Sequence, residues 1–236
     1  MPTALVTGGS KGFGLAIATR LIAEGWTVIT NGRDPEALAA AASALQDRDG
    51  KLVVIPGDVS DPGHRALLVE AVDSFWTLDL LVNNASSLGQ TPLPGLDRYP
   101  LSQLERVFQV NVIAPLALAQ TLLPNLTAVN GTIVNISSDA ATQAYEGWGG
   151  YGASKAALDQ ISAVLGVEQE ALHIYAFDPG DMRTEMHQAA FPGEDISDRP
   201  EPEKVVPAFM KLIDDLPPSG RYRASELAPD LEPVAS

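Results

Sequence analysis

Short runs of apolar and β-branched residues alternate along this chain with longer stretches in which apolar positions recur every three or four residues. The short runs fall at 4–7, 27–31, 52–55, 80–83, 132–136 and 173–177, with a further one at 220–224. The longer stretches fall at 14–23, 35–45, 62–75, 101–122, 151–168 and 203–214. A run such as Leu52-Val53-Val54-Ile55 lacks polar alternation, the pattern of a strand covered on both faces. Buried strands alternating with helices predict an α/β fold, a parallel, doubly wound sheet with helices on both faces. Asp34-Pro35 and Asp61-Pro62 each set an N-cap carboxylate ahead of a proline at the first helical position. No linker divides the chain, so residues 1–236 are expected to form one domain. Residues 181–202, rich in Gly, Pro and acid, interrupt the alternation and predict a loop, and 226–236 predicts an irregular tail.

Composition narrows the class. The 236 residues, 45% of them hydrophobic, are enough to bury a large core. Cysteine is absent, which removes disulfides, thiolate metal sites and cysteine nucleophiles. A net charge of −15 argues against binding nucleic acid or an anionic membrane and is read as general solubility. The opening Met1-Pro2-Thr3-Ala4-Leu5-Val6-Thr7 lacks the basic start and apolar run of a secretion signal. No stretch is read as reaching the ~18 apolar residues of a membrane span. A cytoplasmic protein is the expectation. His64 and His173 are isolated, and no metal-ligand spacing is present, so no metal site is expected.

Candidate chemistry begins at the first strand–helix junction, Thr7-Gly8-Gly9-Ser10-Lys11-Gly12-Phe13-Gly14. Glycines there let a backbone approach a ligand closely, and the free N–H groups of the helix start then face a pyrophosphate. A tight turn with no ligand is the bland alternative. Asp58-Val59 follows the third strand, where a carboxylate can accept from an adenine amino group or merely serve the turn before Ser60. Asn83-Asn84-Ala85 follows the fourth strand at the carboxyl edge, where such sheets bind ligands. At the end of the second strand Arg33 is basic and no acid precedes it, the arrangement that accommodates a 2′-phosphate. Lys11 adds a charge able to reach the same phosphate. Both favour NADP over NAD, with Asp34 read as the helix N-cap.

Tyr151 and Lys155 are four residues apart at the start of a helical stretch, so both side chains leave one face a turn apart. A phenol titrates near ~10, and a neighbouring ammonium favours its ionised form. Ser138 lies thirteen residues before Tyr151, and Asn111 lies earlier still. Each has a bland reading: a packed tyrosine, a solvated lysine, an asparagine satisfying helix backbone, and a serine interchangeable with Ser137. The spacing to Tyr151 favours Ser138 over Ser137.

Thr-Gly-x-x-x-Gly-x-Gly at 7–14, Asn-Asn-Ala at 83–85, Asn111, Ser138, Tyr151-x-x-x-Lys155 and Pro179-Gly180 with Thr184 together resemble the short-chain dehydrogenase/reductase family, across nearly the whole chain. The resemblance implies a Rossmann fold with a seven-stranded parallel sheet and a bound nicotinamide cofactor. It assigns Tyr151 as the proton donor to a carbonyl oxygen, or as base in reverse. Lys155 would lower the tyrosine and bind the nicotinamide ribose, Ser138 would hold the substrate oxygen, and Asn111 would fix a water relaying protons to Lys155. Gly8, Ser10, Lys11, Gly12, Phe13, Gly14, Arg33, Asp58, Val59, Asn84, Ala85, Tyr151, Lys155, Pro179, Gly180, Met182 and Thr184 would bind NADP(H). Residues 181–202 become a substrate lid, with His187 expected to be exposed. Leu88, Trp148 and Phe191 become an apolar substrate wall. Two departures from the family pattern stand out: Ser86 where glycine is usual, and a shortened link between Lys155 and Pro179. Family members are commonly homodimers or homotetramers. The implied activity is NADPH-dependent reduction of a carbonyl to an alcohol, or its reverse. The alternatives are a dehydratase or epimerase on the same site, and a non-catalytic NADP sensor.

Overall fold

The computed structural model describes residues 1–45 and 49–228. Residues 229–236, most of the segment read as an irregular tail, lie outside the described residues. Seven strands form one sheet: β1 (Thr3–Val6), β2 (Thr27–Gly32), β3 (Lys51–Pro56), β4 (Leu80–Asn83), β5 (Thr132–Ile136), β6 (His173–Asp178) and β7 (Gly220–Arg223). Their order is β3-β2-β1-β4-β5-β6-β7, and every neighbouring pair is parallel. The winding direction reverses between β1 and β4, which opens a crevice at the carboxyl ends of the strands.

β1 is buried along its whole length, and its side chains alternate between the two faces. Ala4 and Val6 join a core with α1 (Gly12–Ala23) and α8 (Pro202–Asp215), where Phe13, Phe177 and Phe209 meet with ring centroids 5.8–6.2 Å apart. Leu5 joins the opposite core, with Leu68 of α3 (Pro62–Asp73) and Leu118, Leu122 and Leu126 of α5 (Ala114–Thr127). The expected caps are in place. Asp34 Oδ1 accepts from the amides of Glu36 and Ala37 at 2.9 and 3.1 Å ahead of α2 (Pro35–Leu45). Asp61 Oδ1 accepts from the Gly63 amide at 2.9 Å ahead of α3.

Three elements differ from expectation. The helix predicted over 101–122 is α4 (Leu101–Phe108) joined to α5 through a π-helical turn at Gln109–Ile113. Asparagine is a poor helix former, and Pro115, four residues beyond Asn111, has no N–H to give the Asn111 carbonyl. The ladder widens there, as π-turns commonly do at functional sites. The combined stretch Leu101–Thr127 is also long and apolar enough to cross a membrane by length and composition, contrary to the sequence reading. Its apolar stripe is occupied by the core, where Ala114, Leu118, Leu122 and Leu126 are buried. The segment 181–202 is not all loop, because Thr184 caps a short helix, α7 (Glu185–Ala190), by accepting from the His187 amide at 3.1 Å. Finally, Glu226 accepts from the Arg223 amide at 3.1 Å and starts α9 (Ala224–Leu227), so the strand ends before Ala224 and the tail begins helically.

Candidate active site

A cavity of about 570 Å³ runs along the carboxyl ends of the strands, from Arg33 past the glycine turn to Tyr151. Its floor is the turn between β1 and α1. Gly8 takes a positive φ of 71°, and a Cβ on Gly14 would lie 2.4 Å from Asn84 Nδ2 and 2.5 Å from the Gly8 carbonyl oxygen. Asn84 donates through Nδ2 to the carbonyls of Thr7 and Gly8 at 3.0 and 3.2 Å, and the Ala85 amide donates to Thr7 Oγ1 at 3.0 Å. These bonds stitch the β4 end to the turn. The N-cap residue Lys11 makes no side-chain cap bond, so the helix start keeps its amides for a ligand. Phe13 lines the cavity, but its ring belongs to the aromatic core, which leaves its main chain for the ligand.

At the far end, Ser10, Arg33, Asp58 and Val59 line the cavity together. Asp58 Oδ1 accepts from the Ser60 amide at 2.8 Å and the Ser60 hydroxyl at 2.7 Å, so one carboxylate oxygen serves the turn. Burial raises this carboxyl, but the Ser60 bonds, Arg33 and His64 outweigh it and hold it below the usual range. Lys11 also lines the cavity, and its ammonium pairs with Glu185 of α7, both side chains being exposed.

His64, isolated in sequence, is buried beside Asn31. Asn31 Oδ1 accepts from the Gly8 amide at 3.1 Å and Nδ2 donates to the Gly57 carbonyl at 3.3 Å, which fixes the orientation of the amide. Nδ2 therefore faces His64 Nε2 at 3.1 Å as a donor, and the imidazole accepts in its neutral form. Burial holds His64 below its usual range, against Asp61 and Asp58. Between the folded and unfolded values the unfolded chain binds more protons, so stability rises with pH there and falls as the medium drops below about 6.5. His64→Leu should flatten the fall in urea midpoint between about pH 7 and 5 relative to the unchanged protein. An equal fall in both would remove His64 from the account.

Three of the four residues expected to be catalytic lie together at the other end, and Asn111 sits behind them, outside the cavity lining. Tyr151 and Lys155 lie on α6 (Gly149–Glu168), which begins two residues earlier than predicted, and Ser138 follows β5. Ser138, Tyr151 and Lys155 line the cavity. Lys155 is buried, donates through Nζ to the Ile136 carbonyl at 2.7 Å, and sits 5.6 Å from the centroid of the Tyr151 ring. Burial pushes its ammonium down to about 8, against the pull of Asp159. Burial also drives the Tyr151 phenol well above its ordinary range; hydrogen bonds with Ser86 and Ser138 oppose the rise, and Asp178 and Asp139 add to it. Burial, not Lys155, is thus the dominant influence on the phenol. Ser138 Oγ donates to Asp139 Oδ1 at 2.9 Å. Asn111 is buried and committed on both sides: Oδ1 accepts from the Ser87 amide at 2.8 Å and the Ser86 hydroxyl at 3.2 Å, while Nδ2 donates to the Ser87 carbonyl and Ser154 Oγ, both at 2.9 Å. A water would find only its carbonyl. Ser86, the departure from the family pattern, bridges Asn111 and the tyrosine.

Beyond β6, Pro179, Gly180, Met182 and Thr184 line the cavity, and the Gly180 amide donates to Asp178 Oδ1 at 3.1 Å. Leu88 and Trp148 form the apolar wall, with Trp148 edge-on to Tyr151 at 5.6 Å and 5.9 Å from Phe191. His187 is not exposed. Its side chain is 9% accessible, lies 4.9 Å from the Phe191 ring, and is held below its usual range by burial.

The sequence matches the short chain dehydrogenase family over residues 2–195. It is 34% identical over 187 residues to a serine 3-dehydrogenase of Rhizobium radiobacter, covering 78% of this chain and 73% of that protein. It is 33% identical over 217 residues to YciK, an uncharacterized oxidoreductase of Escherichia coli, covering 89% and 85%. The structure aligns at a TM-score of 0.88 and 30% identity with a short chain dehydrogenase from Shigella flexneri solved in complex with NADP, over 95% of this chain and 97% of that one. With the seven-stranded parallel sheet, the glycine turn and the tyrosine–lysine pair in place, the chain belongs to the short-chain dehydrogenase family of oxidoreductases.

Proposed function

We propose that this protein is an NADPH-dependent carbonyl reductase. The observation that carries the reading is one continuous cavity with Arg33 at one end and Ser138, Tyr151 and Lys155 at the other. The chain fits a dinucleotide on two counts: the uncapped start of α1, and the glycine turn, where a Cβ on Gly14 would collide with its neighbours. The α1 amides would hold the pyrophosphate, Arg33 would take the 2′-phosphate, and Thr184 and the Pro179-Gly180 turn would hold the carboxamide side. When bound, the cofactor supplies the hydride.

The protein's part is to orient the carbonyl and give up a proton. Ser138 Oγ donates to the carbonyl oxygen, and Tyr151 passes its phenolic proton to the same atom as negative charge develops there. Burial, Asp178 and Asp139 keep the phenol protonated, so it holds the proton that the reduction consumes. Lys155, with Nζ 5.6 Å from the centroid of the Tyr151 ring, balances the developing phenolate. Leu88, Trp148, Met186 and Asp181 line the substrate end, and Asp139 acts on Tyr151 through its charge, a setting for an uncharged apolar or aromatic carbonyl and against an anion. NADPH oxidation followed across neutral aryl ketones, aldehydes and keto acids tests this directly. Aryl ketones should be turned over with the highest kcat/KM. Turnover of keto acids alone would overturn the substrate class, and no turnover of any would overturn the function.

Exposed Leu101, Ile113, Val164 and Val167 on α4, the π-turn and α6 fit a self-association face of a homo-oligomer. Sedimentation velocity should give a dimer or tetramer; a monomer at micromolar concentration would reject it.

A further inference from the structure

The reading of the site as a tyrosine-based reductase leaves one strongly bonded charge without a role. Arg221 sits on β7, the edge strand, 83 residues from Ser138 in sequence. Its Nε donates to Asp159 Oδ2 at 2.9 Å. Its Nη2 donates to Asp178 Oδ2 at 2.9 Å and to the Ser138 carbonyl at 3.0 Å. Each partner leads to a different part of the site. Asp159 lies one helical turn beyond Lys155 on α6. Asp178 ends β6 and holds the Gly180 amide. The Ser138 carbonyl belongs to the residue whose hydroxyl faces Tyr151.

We propose that Arg221 is a positioning residue for the reduction, fixing Ser138, α6 and the Pro179-Gly180 turn against one another while neutralising the two carboxylates behind the tyrosine–lysine pair. A planar guanidinium suits this task because it donates in several fixed directions at once, which an ammonium cannot match. Its charge matters as much as its shape. Asp178 and Asp139 face Tyr151, Asp159 faces Lys155, and Arg223 stands 3.8 Å from Asp178 without reaching Asp159. Removing the guanidinium therefore leaves Asp159 uncompensated beside Lys155.

The test has an arm that needs no substrate. The sequence holds five lysines, so selectively labelled lysine Cε signals can be followed by NMR, with Lys155 assigned by substitution. In Arg221→Met the Lys155 midpoint should rise by about half a pH unit or more, because an unpaired Asp159 favours the ammonium. In Asp159→Asn it should fall. Arg221→Lys should return the midpoint to near the original value but recover only part of the activity. On a carbonyl accepted by the unchanged protein, Arg221→Met should lower kcat about tenfold to a hundredfold, with the NADPH dissociation constant within about threefold. An unaltered Lys155 titration in both Arg221→Met and Asp159→Asn would overturn the proposal, as would an unaltered kcat. If Arg221→Met does not fold, Asp159→Asn carries the same decision. Failure of the parent protein to reduce any carbonyl would strike the functional reading instead, and the titration arm separates the two.

Discussion

Tyr151→Phe should lower kcat by about 10²–10⁴-fold while the NADPH dissociation constant stays within about threefold. The substitution removes one oxygen from a buried ring whose packing against Trp148, at 5.6 Å, is otherwise kept. The lost atom is the proposed proton donor, and neither neighbouring hydroxyl, Ser138 or Ser86, can replace it, because an aliphatic hydroxyl is a far weaker acid than a phenol. Single-turnover kinetics with saturating NADPH isolates the chemical step. Residual activity above about a tenth of the parent would show that another group delivers the proton.

Arg33→Glu should weaken NADPH by about 10- to 100-fold and leave NADH nearly unchanged. The exchange replaces a charge-assisted bond to a phosphate with a like-charge clash, while a 2′-hydroxyl can donate to the new carboxylate. Lys11→Ala should matter much less, because its ammonium is directed at Glu185 rather than toward Arg33. Fluorescence titration of both nucleotides decides the matter. If the two affinities move together, Arg33 reads something other than the phosphate. If Lys11→Ala matches Arg33→Glu, the Lys11–Glu185 pair gives way when the nucleotide binds.

The parts of this protein that were legible beforehand are those written in contiguous residues. Apolar runs located the strands, Asp34-Pro35 and Asp61-Pro62 located two helix starts, and the turn at 7–14 announced itself at a strand–helix junction. Tyr151 and Lys155 could be paired because helical geometry relates positions four apart. What could not be read depends on partners brought together only by folding. Arg221 meets Ser138 and Asp178 through strand order, and no local pattern marks it among the other arginines. His64 stands isolated in the sequence, and only the fold sets Asn31 of β2 against it. The π-turn had one signal, Asn111 followed four residues later by Pro115, but its effect on the backbone ladder shows only when the carbonyl's missing donor is counted. Ser86 was noticed as a departure, yet its bond to Asn111 required the β4 end and the π-turn to be adjacent.

Lys155 carries a consequence of a different kind. An amine brought down to about 8 is roughly one-tenth free base at neutral pH, and free base is a nucleophile. Placed next to an aldehyde, such a group invites Schiff-base formation and self-inactivation. Its hydrogen bond to the Ile136 carbonyl engages one of its protons, and the tyrosine ring, with its centroid 5.6 Å away, crowds it. Slender aldehydes, formaldehyde first among them, are the ones expected to reach that amine.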